Sequence, residues 1–426
     1  MHRRHPAVSW HKRMCRAQRP SMKTLFVHNN FPGQFKHVAS ALAKHEGSAV
    51  AAIGAQNARG VPGVRMERYV LEPADVSATH PFARRFDLEC RRAEQVLYAA
   101  SHLVSSGFVP DVVVAHSGWG ETLPLRSVFP KSRLITYCEF YYRTQGQDVG
   151  FDPEFPIFGV DGEVSIRLKN AASLLALAES DAGVSPTVWQ RSTYPVEMQS
   201  KISTIHDGVD TAYLSPCSDA ALTLPNGRTL TRSDEVVTFV NRTLEPLRGF
   251  HVFMRALPRI MRQRPSAQIV IIGGDQGQYG YPPPAGQTWR SVFLGEVSRA
   301  IDLSRVHFLG RVPYNHYLSA LRISSAHVYL TYPFVLSWSL LEAMSVSGLV
   351  IASDTAPVRE VIDGTNGLLV PFLEPDALAG AVVTVLGAPH KFTAIRERAR
   401  KTVVQRYDLH RVCLPTMMSF LTNNGP

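Results

Sequence analysis

Residues 328–370 read VYLTYPFVLSWSLLEAMSVSGLVIASDTAPVREVIDGTNGLLV, a succession of strand, loop, helix, strand, loop and helix. Its polar groups gather where strands hand over to helices, the edge at which open α/β sheets bind ligands. The apolar run Val328 to Leu330 ends a strand, and Leu340, Leu341, Ala343 and Met344 set a helical stripe that begins near Ser339 and stops before Gly348. The loop Thr331 to Trp338 therefore delivers the chain to a helix N-terminus, where free N–H groups and the helix dipole attract phosphate. Glu342 lies one turn in, placed to accept two hydrogen bonds from a ribose diol. Ser339 and Glu342 equally fit a capping box, a purely local use of the same pair.

Outward from this stretch, 426 residues are enough for two to three domain-sized cores, and 45% hydrophobic residues is ordinary for a globular protein. No apolar run approaches the roughly 18 to 20 residues a membrane span needs. The five cysteines (Cys15, Cys90, Cys138, Cys217 and Cys413) are scattered and include no C-x-x-C pair, which predicts a reduced cytoplasmic location and no zinc site. Of the net charge of +10, residues 1–21 carry +6 through Arg3, Arg4, Lys12, Arg13, Arg16 and Arg19. This tail has no apolar h-region, so it is read as a disordered extension or the result of an upstream start codon, with a membrane-surface or targeting role as the other reading. The remaining body is only mildly basic, and basic and aromatic residues are not interleaved along one element, so nucleic acid is not an expected partner.

From Lys23 the pattern alternates. Strands are expected at Thr24 to His28, Ala49 to Ile53, Val112 to Ala115 and Leu134 to Tyr137, with helices between them, as in a parallel sheet covered on both faces. A helix near Phe82 to Leu103 places Phe86, Cys90, Ala93, Leu97, Ala100 and Val104 on one face, while Arg84, Arg85, Arg91 and Arg92 read as a solvated face or as one that meets an acidic surface. Residues 215–234 lose apolar periodicity and read as a linker. A second alternating series follows: strand Val236 to Val240, a helix with Phe250, Phe253 and Met254, and strand Gln268 to Ile272. Gln276 to Arg290 reads as a loop.

Several pieces of the chain together resemble one family. FVHNNFPGQF, KISTIHDGVDTAYLSP, FVNRTLEPLRGFHVFMRALPRI, VHFLGRVPYNHYLSAL, LLEAM and DGTNGLLV are similar in kind and order to segments of family 4 retaining glycosyltransferases, in particular the bacterial branch of surface-polysaccharide and lipid-linked sugar assembly. The resemblance implies an α/β protein of two facing Rossmann-like doubly wound domains, the glycosyltransferase B fold, with a C-terminal crossover helix. The expected division is a basic extension at 1–21, an acceptor-side domain at 22–214, a linker at 215–234, a nucleotide-sugar domain at 235–407, and a helix within 408–426 that returns to the first domain. Carried over by position, Arg242 and Arg248 become a diphosphate clamp that stabilises charge building on the leaving group. A surface cation beside the turn glycine Gly249 is the plainer reading of Arg248. Glu342 would hold the ribose, and Gly33 would let the backbone approach phosphate or acceptor, or simply make a tight turn. The chain has no D-x-D triplet, so arginines and a helix N-terminus are expected to replace a divalent ion, with no metal and no cofactor beyond the nucleotide-sugar donor.

The chain departs from the family pattern in two places. Where most relatives carry the first glutamate of E-x(7)-E, it has Phe334, and Val335, Leu336 and Ser337 follow. Backbone N–H groups from Val335 to Ser337, with the Ser337 and Ser339 hydroxyls, would replace some of the lost hydrogen bonds. Where many relatives place a histidine after the strand Leu134 to Tyr137, the chain reads TYCEFYYR, and Glu139 is the polar candidate. Pairing with Arg143 is its structural alternative. His116, at the end of strand Val112 to Ala115, is a further candidate, either as a site residue or as a satisfied strand-end histidine.

The expected function is sugar transfer from a nucleotide sugar to a glycan or lipid-linked acceptor with retention of configuration, in the cytoplasm, with peripheral contact at the inner membrane where the acceptor is lipid-linked. A nucleotide-sugar 2-epimerase using His116, Glu139 and His206 is one alternative. A sugar-nucleotide-binding protein without turnover, suggested by Phe334, is another.

Overall fold

The computed structural model describes residues 22–156, 158–277 and 279–422. The basic extension 1–21 and the last four residues of the C-terminal segment lie outside the described residues. Two parallel sheets are formed. The first contains β1 (Lys23–Val27), β2 (Ala49–Ala55), β3 (Val64–Tyr69), β4 (Val112–His116), β5 (Arg133–Tyr137), β6 (Ala182–Ser185) and β7 (Ile202–Thr204), in the order 3-2-1-4-5-6-7. After a hairpin of β8 (Ala221–Thr223) and β9 (Thr229–Thr231), the second contains β10 (Val236–Thr243), β11 (Gln268–Gly274), β12 (Val306–Gly310), β13 (Ala326–Tyr329), β14 (Val350–Ser353) and β15 (Leu368–Val370), in the order 12-11-10-13-14-15. In each sheet the order reverses beside the first strand, between β1 and β4 and between β10 and β13, which opens a crevice at the strands' carboxyl ends.

Strands buried on both faces account for the near-continuous apolar runs. Along β1, Phe26 packs into one core while Leu25 and Val27 pack into another; along β10, Val237 and Phe239 face one layer and Val236 and Val240 the other. The stretch 215–234, read as a linker, carries the β8–β9 hairpin, and its Leu222, Leu224 and Leu230 are buried in the second domain's core. The helix Arg84–Ser105 forms with its buried stripe turned from the expected one. Ala93, Val96, Ala100 and Leu103 face the core, whereas Cys90, Leu97 and Val104 are exposed. The stripe shifts because Glu89 occupies the inner face, held by Arg85. The solvated reading of the basic face holds for Arg84 and Arg91, which are exposed, but Arg85 and Arg92 reach the carbonyls of Gly118 and Trp119.

The two domains interlock. Phe140, Tyr142, Phe151, Phe155 and Trp189, all from the first, pack into a core of the second. Asp152 accepts hydrogen bonds from His251 Nε2 at 2.9 Å and Tyr332 Oη at 2.8 Å, and Glu154 is gripped through both oxygens by Arg255. Asp152, Glu154 and His251 have the composition of a cation site, but Arg255 already balances the charge there. Glu360 of the second domain accepts from the N–H groups of Val188 and Trp189, the first turn of the helix Val188–Thr193. The chain then returns through a π-helical turn, Leu409–Cys413, into the helix Leu414–Thr422, which packs Leu421 into the first domain's core. Arg133 donates to the carbonyl of Phe420 at 2.7 Å and so fastens that helix end.

Candidate active site

The two crevices face each other and enclose a cleft of about 670 Å³. Of the residues singled out from sequence, Gly33, Glu139, His206, Arg242, Arg248, Val335, Leu336 and Ser337 line it, while His116, Ser339 and Glu342 do not. The carboxyl ends of β1 and β5 supply the first-domain wall, and those of β10 and β13 the second.

Arg248 sits on the turn Pro246–Arg248 and is only 8% exposed. Its Nη1 donates to Thr331 Oγ1 and to the Val335 carbonyl, both at 2.9 Å, and its guanidinium carbon lies 5.4 Å from the Phe334 ring centre. Among the described residues no carboxylate pairs with it within 4 Å. A buried cation held by neutral acceptors is an electrostatic deficit that an anion in the cleft would relieve. The surface-cation reading of Arg248 does not hold, because Gly249, at φ +70°, turns the chain inward; a Cβ there would lie 2.3 Å from Leu330 Cβ. Arg242 is exposed and donates to Tyr279 Oη at 3.0 Å. Glu245, buried, accepts from the N–H groups of Tyr279 and Gly280 and so ties the Tyr279 loop against both arginines.

Glu139 is held from two sides. Gln34 Nε2 donates to one oxygen at 2.9 Å, and His116 Nε2 stands 3.3 Å from the other. Gly118 N–H donates to His116 Nδ1, which leaves the His116 proton on Nε2, facing the carboxylate. His116 is buried between the Trp119 and Tyr137 rings, at 4.4 and 5.5 Å. Burial opposes charge on Glu139, but the His116 and Gln34 contacts outweigh it and bring its pKa below the usual glutamate value. The Arg143 pairing is absent: Arg143 instead donates to the carbonyls of Ser192, Thr193 and Tyr194. His28, behind Gln34, accepts from Asn30 N–H at Nδ1 and meets Gln34 Oε1 at Nε2. Burial, with the neighbouring His116 second, lowers its pKa to about 3, so it stays neutral. Gly33 is required by this histidine rather than by a ligand alone, since at φ +45° a Cβ would lie 2.6 Å from His28 Nε2.

The helix Ser339–Ser345 has seven residues and is preceded by Trp338 with no side-chain cap, so the capping box of Ser339 and Glu342 does not form. Ser339 Oγ instead lies 2.6 Å from Ser337 Oγ. The carboxylate of Glu342 receives the hydroxyls of Tyr314 and Tyr317, one on each oxygen, and does not line the cleft wall. Of the three loop amides expected to replace the missing glutamate, Ser337 N–H is already bonded to Tyr329 Oη. Those of Val335 and Leu336 find no acceptor among the described residues. Phe334 turns away from solvent and packs edge-on against Phe140 of the first domain, ring centres 4.9 Å apart.

Sequence reasoning did not single out His28, Gln34, Asp207, Glu245, Tyr279 and Trp338. Glu245 carried a local signal, an acid between two arginines in RTLEPLR. Tyr279 lies in a stretch read only as a loop. Asp207 accepts from Tyr137 Oη at 3.0 Å and from Trp338 Nε1 at 3.1 Å, a contact between domains that no local pattern reveals.

Comparison with known proteins adds a family context to this geometry. A family model described as Glycosyl transferase family 4 group matches residues 46–214, and one described as Glycosyl transferases group 1 matches residues 234–388. Phosphatidyl-myo-inositol mannosyltransferase of Mycobacterium tuberculosis is 33% identical over 202 residues, 46% of this chain and 49% of that protein. D-inositol 3-phosphate glycosyltransferase of Kineococcus radiotolerans is 27% identical over 217 residues, 47% of each. The chain thus spans about half the length of the curated relatives it matches. In fold it is similar to sucrose-phosphate synthase of Thermosynechococcus elongatus (TM-score 0.70, 17% identity, 94% of this chain and 98% of the other). It is similar as well to Anabaena HepE in complex with UDP-glucose (TM-score 0.65, 16% identity, 94% and 99%).

Proposed function

Because the chain belongs to the family 4 glycosyltransferases, we propose that it moves a sugar from a nucleotide-sugar donor to a glycan or lipid-linked acceptor, with retention of configuration and without a metal ion. The observation that carries this reading is Arg248, a buried guanidinium on the cleft wall with no carboxylate partner among the described residues. Arg242 and the Val335 and Leu336 amides stand on the same wall. Together they would bind the diphosphate, and their pull strengthens as the bond to the sugar breaks and charge moves onto the leaving group. The phosphate oxygen released in this way would take the acceptor proton on the same face of the sugar. Ionised Glu139, across the cleft, would accept hydrogen bonds from sugar hydroxyls and offset positive charge growing at the anomeric carbon. The contacts between domains keep water from the donor. Glu342, with both oxygens already taken by tyrosines, would meet a ribose only through its remaining lone pairs.

A donor-binding protein without turnover is favoured by one observation, the aromatic plug of Phe334 where relatives carry an acid. Epimerisation would have to run through His116 Nε2 and Glu139, 3.3 Å apart, because His116 Nδ1 is already taken by the Gly118 N–H. Thermal-shift titration with UDP-, GDP-, ADP- and dTDP-sugars, followed by product analysis with and without acceptor, tests the set. Stabilisation by one donor with slow hydrolysis is expected, and an enzyme that binds none of them sinks the proposal.

A further inference from the structure

The segment HNNFPGQF, residues 28–35, folds back so that its first residue supports its seventh. His28, just past the end of β1, is 3% exposed and boxed by the rings of Phe35, His116 and Trp119. Its Nδ1 accepts the Asn30 N–H at 2.9 Å, so the ring proton stands on Nε2. That proton meets Gln34 Oε1, 2.8 Å away. With its oxygen taken, the Gln34 amide turns its NH2 to Glu139 Oε1 at 2.9 Å. The reversed amide would set oxygen against a carboxylate oxygen and NH2 against a ring N–H, so the histidine tautomer fixes which way Gln34 faces.

A second histidine approaches Glu139 in the same tautomer. His116 Nδ1 accepts the Gly118 N–H at 3.0 Å, and its Nε2 faces Glu139 Oε2 at 3.3 Å without the alignment of a full hydrogen bond. Gln34 is thus the aligned side-chain donor to this carboxylate among the described residues. A proton placed on either Glu139 oxygen would compete with one of these N–H groups, so both sides favour the carboxylate form. Burial, with His116 second, holds the His28 pKa near the printed value of about 3, and the relay therefore keeps its tautomer uncharged through the neutral range. The other ionisable groups that face Glu139 are Asp207 and the buried Tyr137, Tyr142 and Tyr194; Arg85, Lys169 and Arg248 share an adjoining cavity with it. Burial pushes Asp207 up to about 7 and Lys169 down to about 8, so both titrate above the glutamate range.

We propose that His28 and Gln34 are positioning residues, a relay that holds Glu139 as an acceptor-only carboxylate which can take hydrogen bonds from a sugar and face positive charge but supplies no proton. The use of Glu139 against a sugar rests on the glycosyltransferase reading; the relay stands on the contacts alone. Gln34 and His28 act through Glu139 and touch no reacting atom in this account.

Carbon NMR of the full chain labelled at the glutamate side-chain carboxyl, with the Glu139 signal identified by its loss in Glu139→Gln, reads the relay without any turnover. In the wild type that signal is expected to keep its carboxylate position down through the ordinary glutamate range. Gln34→Met, which removes the donor at similar volume, should raise the Glu139 midpoint by about one pH unit, a tenfold change in proton affinity. His28→Phe keeps the ring contacts without the Nε2 proton and should move it the same way, whereas His28→Gln, whose amide can stand where Nε2 stood, should restore it. A merely structural role would lower the Tm of these variants and leave the midpoint alone. In parallel, kcat for the best donor should fall about tenfold in Gln34→Met at pH 7, with its KM within about twofold. A wild-type midpoint at the ordinary glutamate value, or one that Gln34→Met does not move, overturns the proposal even if sugar is transferred. So does an unchanged kcat in Gln34→Met. A midpoint that moves as expected in a chain that turns over no donor would leave the relay standing and remove the glycosyltransferase reading instead.

Discussion

Arg248 and Glu139 occupy opposite walls of one cleft, and their surroundings predict different defects. Arg248→Met removes a preorganised charge from the leaving-group side, so kcat is expected to fall about 10²–10³-fold in steady-state assays. Arg248→Lys should recover little, because a point charge cannot hold Thr331, the Val335 carbonyl and a phosphate together. Glu139→Gln keeps the shape but removes the charge that His116 faces; kcat should drop while the donor Kd, measured by titration, stays within about twofold. Retained wild-type turnover in Glu139→Gln would remove this carboxylate from the reaction. The arginines were legible from their positions in FVNRTLEPLRG, and Glu139 from its place at a strand end. The tyrosines that hold Glu342 and the His28 collision that demands Gly33 were not, because both are contacts between segments far apart in sequence or folded back by a turn.

At the level of elements, the segment between β5 and the helix Val160–Leu168 does more than connect. It carries Phe151, Asp152, Phe155 and Glu154 onto the second domain. Asp152→Ala leaves His251 Nε2 and Tyr332 Oη buried without acceptors, which is expected to cost about 2 kcal/mol and lower the Tm by about 4–8 °C in a thermal melt. Burial opposes charge on Asp152, but the His251 bond outweighs it and its pKa is depressed. Its contribution is therefore present above the ordinary carboxylate range and is lost as pH falls through the lowered value. The neighbouring helix Ser339–Ser345 was foreseen from its stripe, with its start at the expected serine. Its capping was not foreseen, because Ser339 chooses Ser337 and Glu342 chooses two tyrosines once tertiary partners are available. The core stripe of Arg84–Ser105 also turned, since periodicity in sequence cannot tell that Glu89 will be neutralised inside by Arg85.

Across the whole molecule, closure depends on a few polar contacts between the domains. Glu360→Ala frees the Val188 and Trp189 amides, and small-angle scattering should detect a larger radius of gyration, with kcat for transfer reduced about tenfold as the cleft opens to water. An unchanged radius would mean that the remaining contacts between the domains, among them Asp152 with His251, Glu154 with Arg255, Asp207 with Trp338 and Phe140 with Phe334, hold the closed form without Glu360. Asp207 adds a pH dependence. Burial, opposed by the Trp338 and Tyr137 hydrogen bonds, pushes its pKa up to about 7. A raised carboxyl pKa means that the folded state binds the proton more tightly than the unfolded one. Stability should therefore fall as pH rises from near 4 through about 7. Asp207→Asn should flatten that slope in melts at pH 5 and pH 8, and an equal slope in both proteins would exclude Asp207 as its source.

Periodicity and the order of glycines and apolar runs were enough to specify two doubly wound α/β domains, because those features are set by neighbours in the chain, while Arg242, Arg248, Gly33 and Glu139 were picked out through the family resemblance. The opposition of the two crevices was decided only in three dimensions. So were the burial of Arg248 without a counter-ion among the described residues and the Phe140–Phe334 contact. Each depends on residues from distant parts of the chain meeting, from Arg248 with Thr331 and Val335 inside one domain to Phe140 with Phe334 across the interface, and no local pattern encodes which partner will be there.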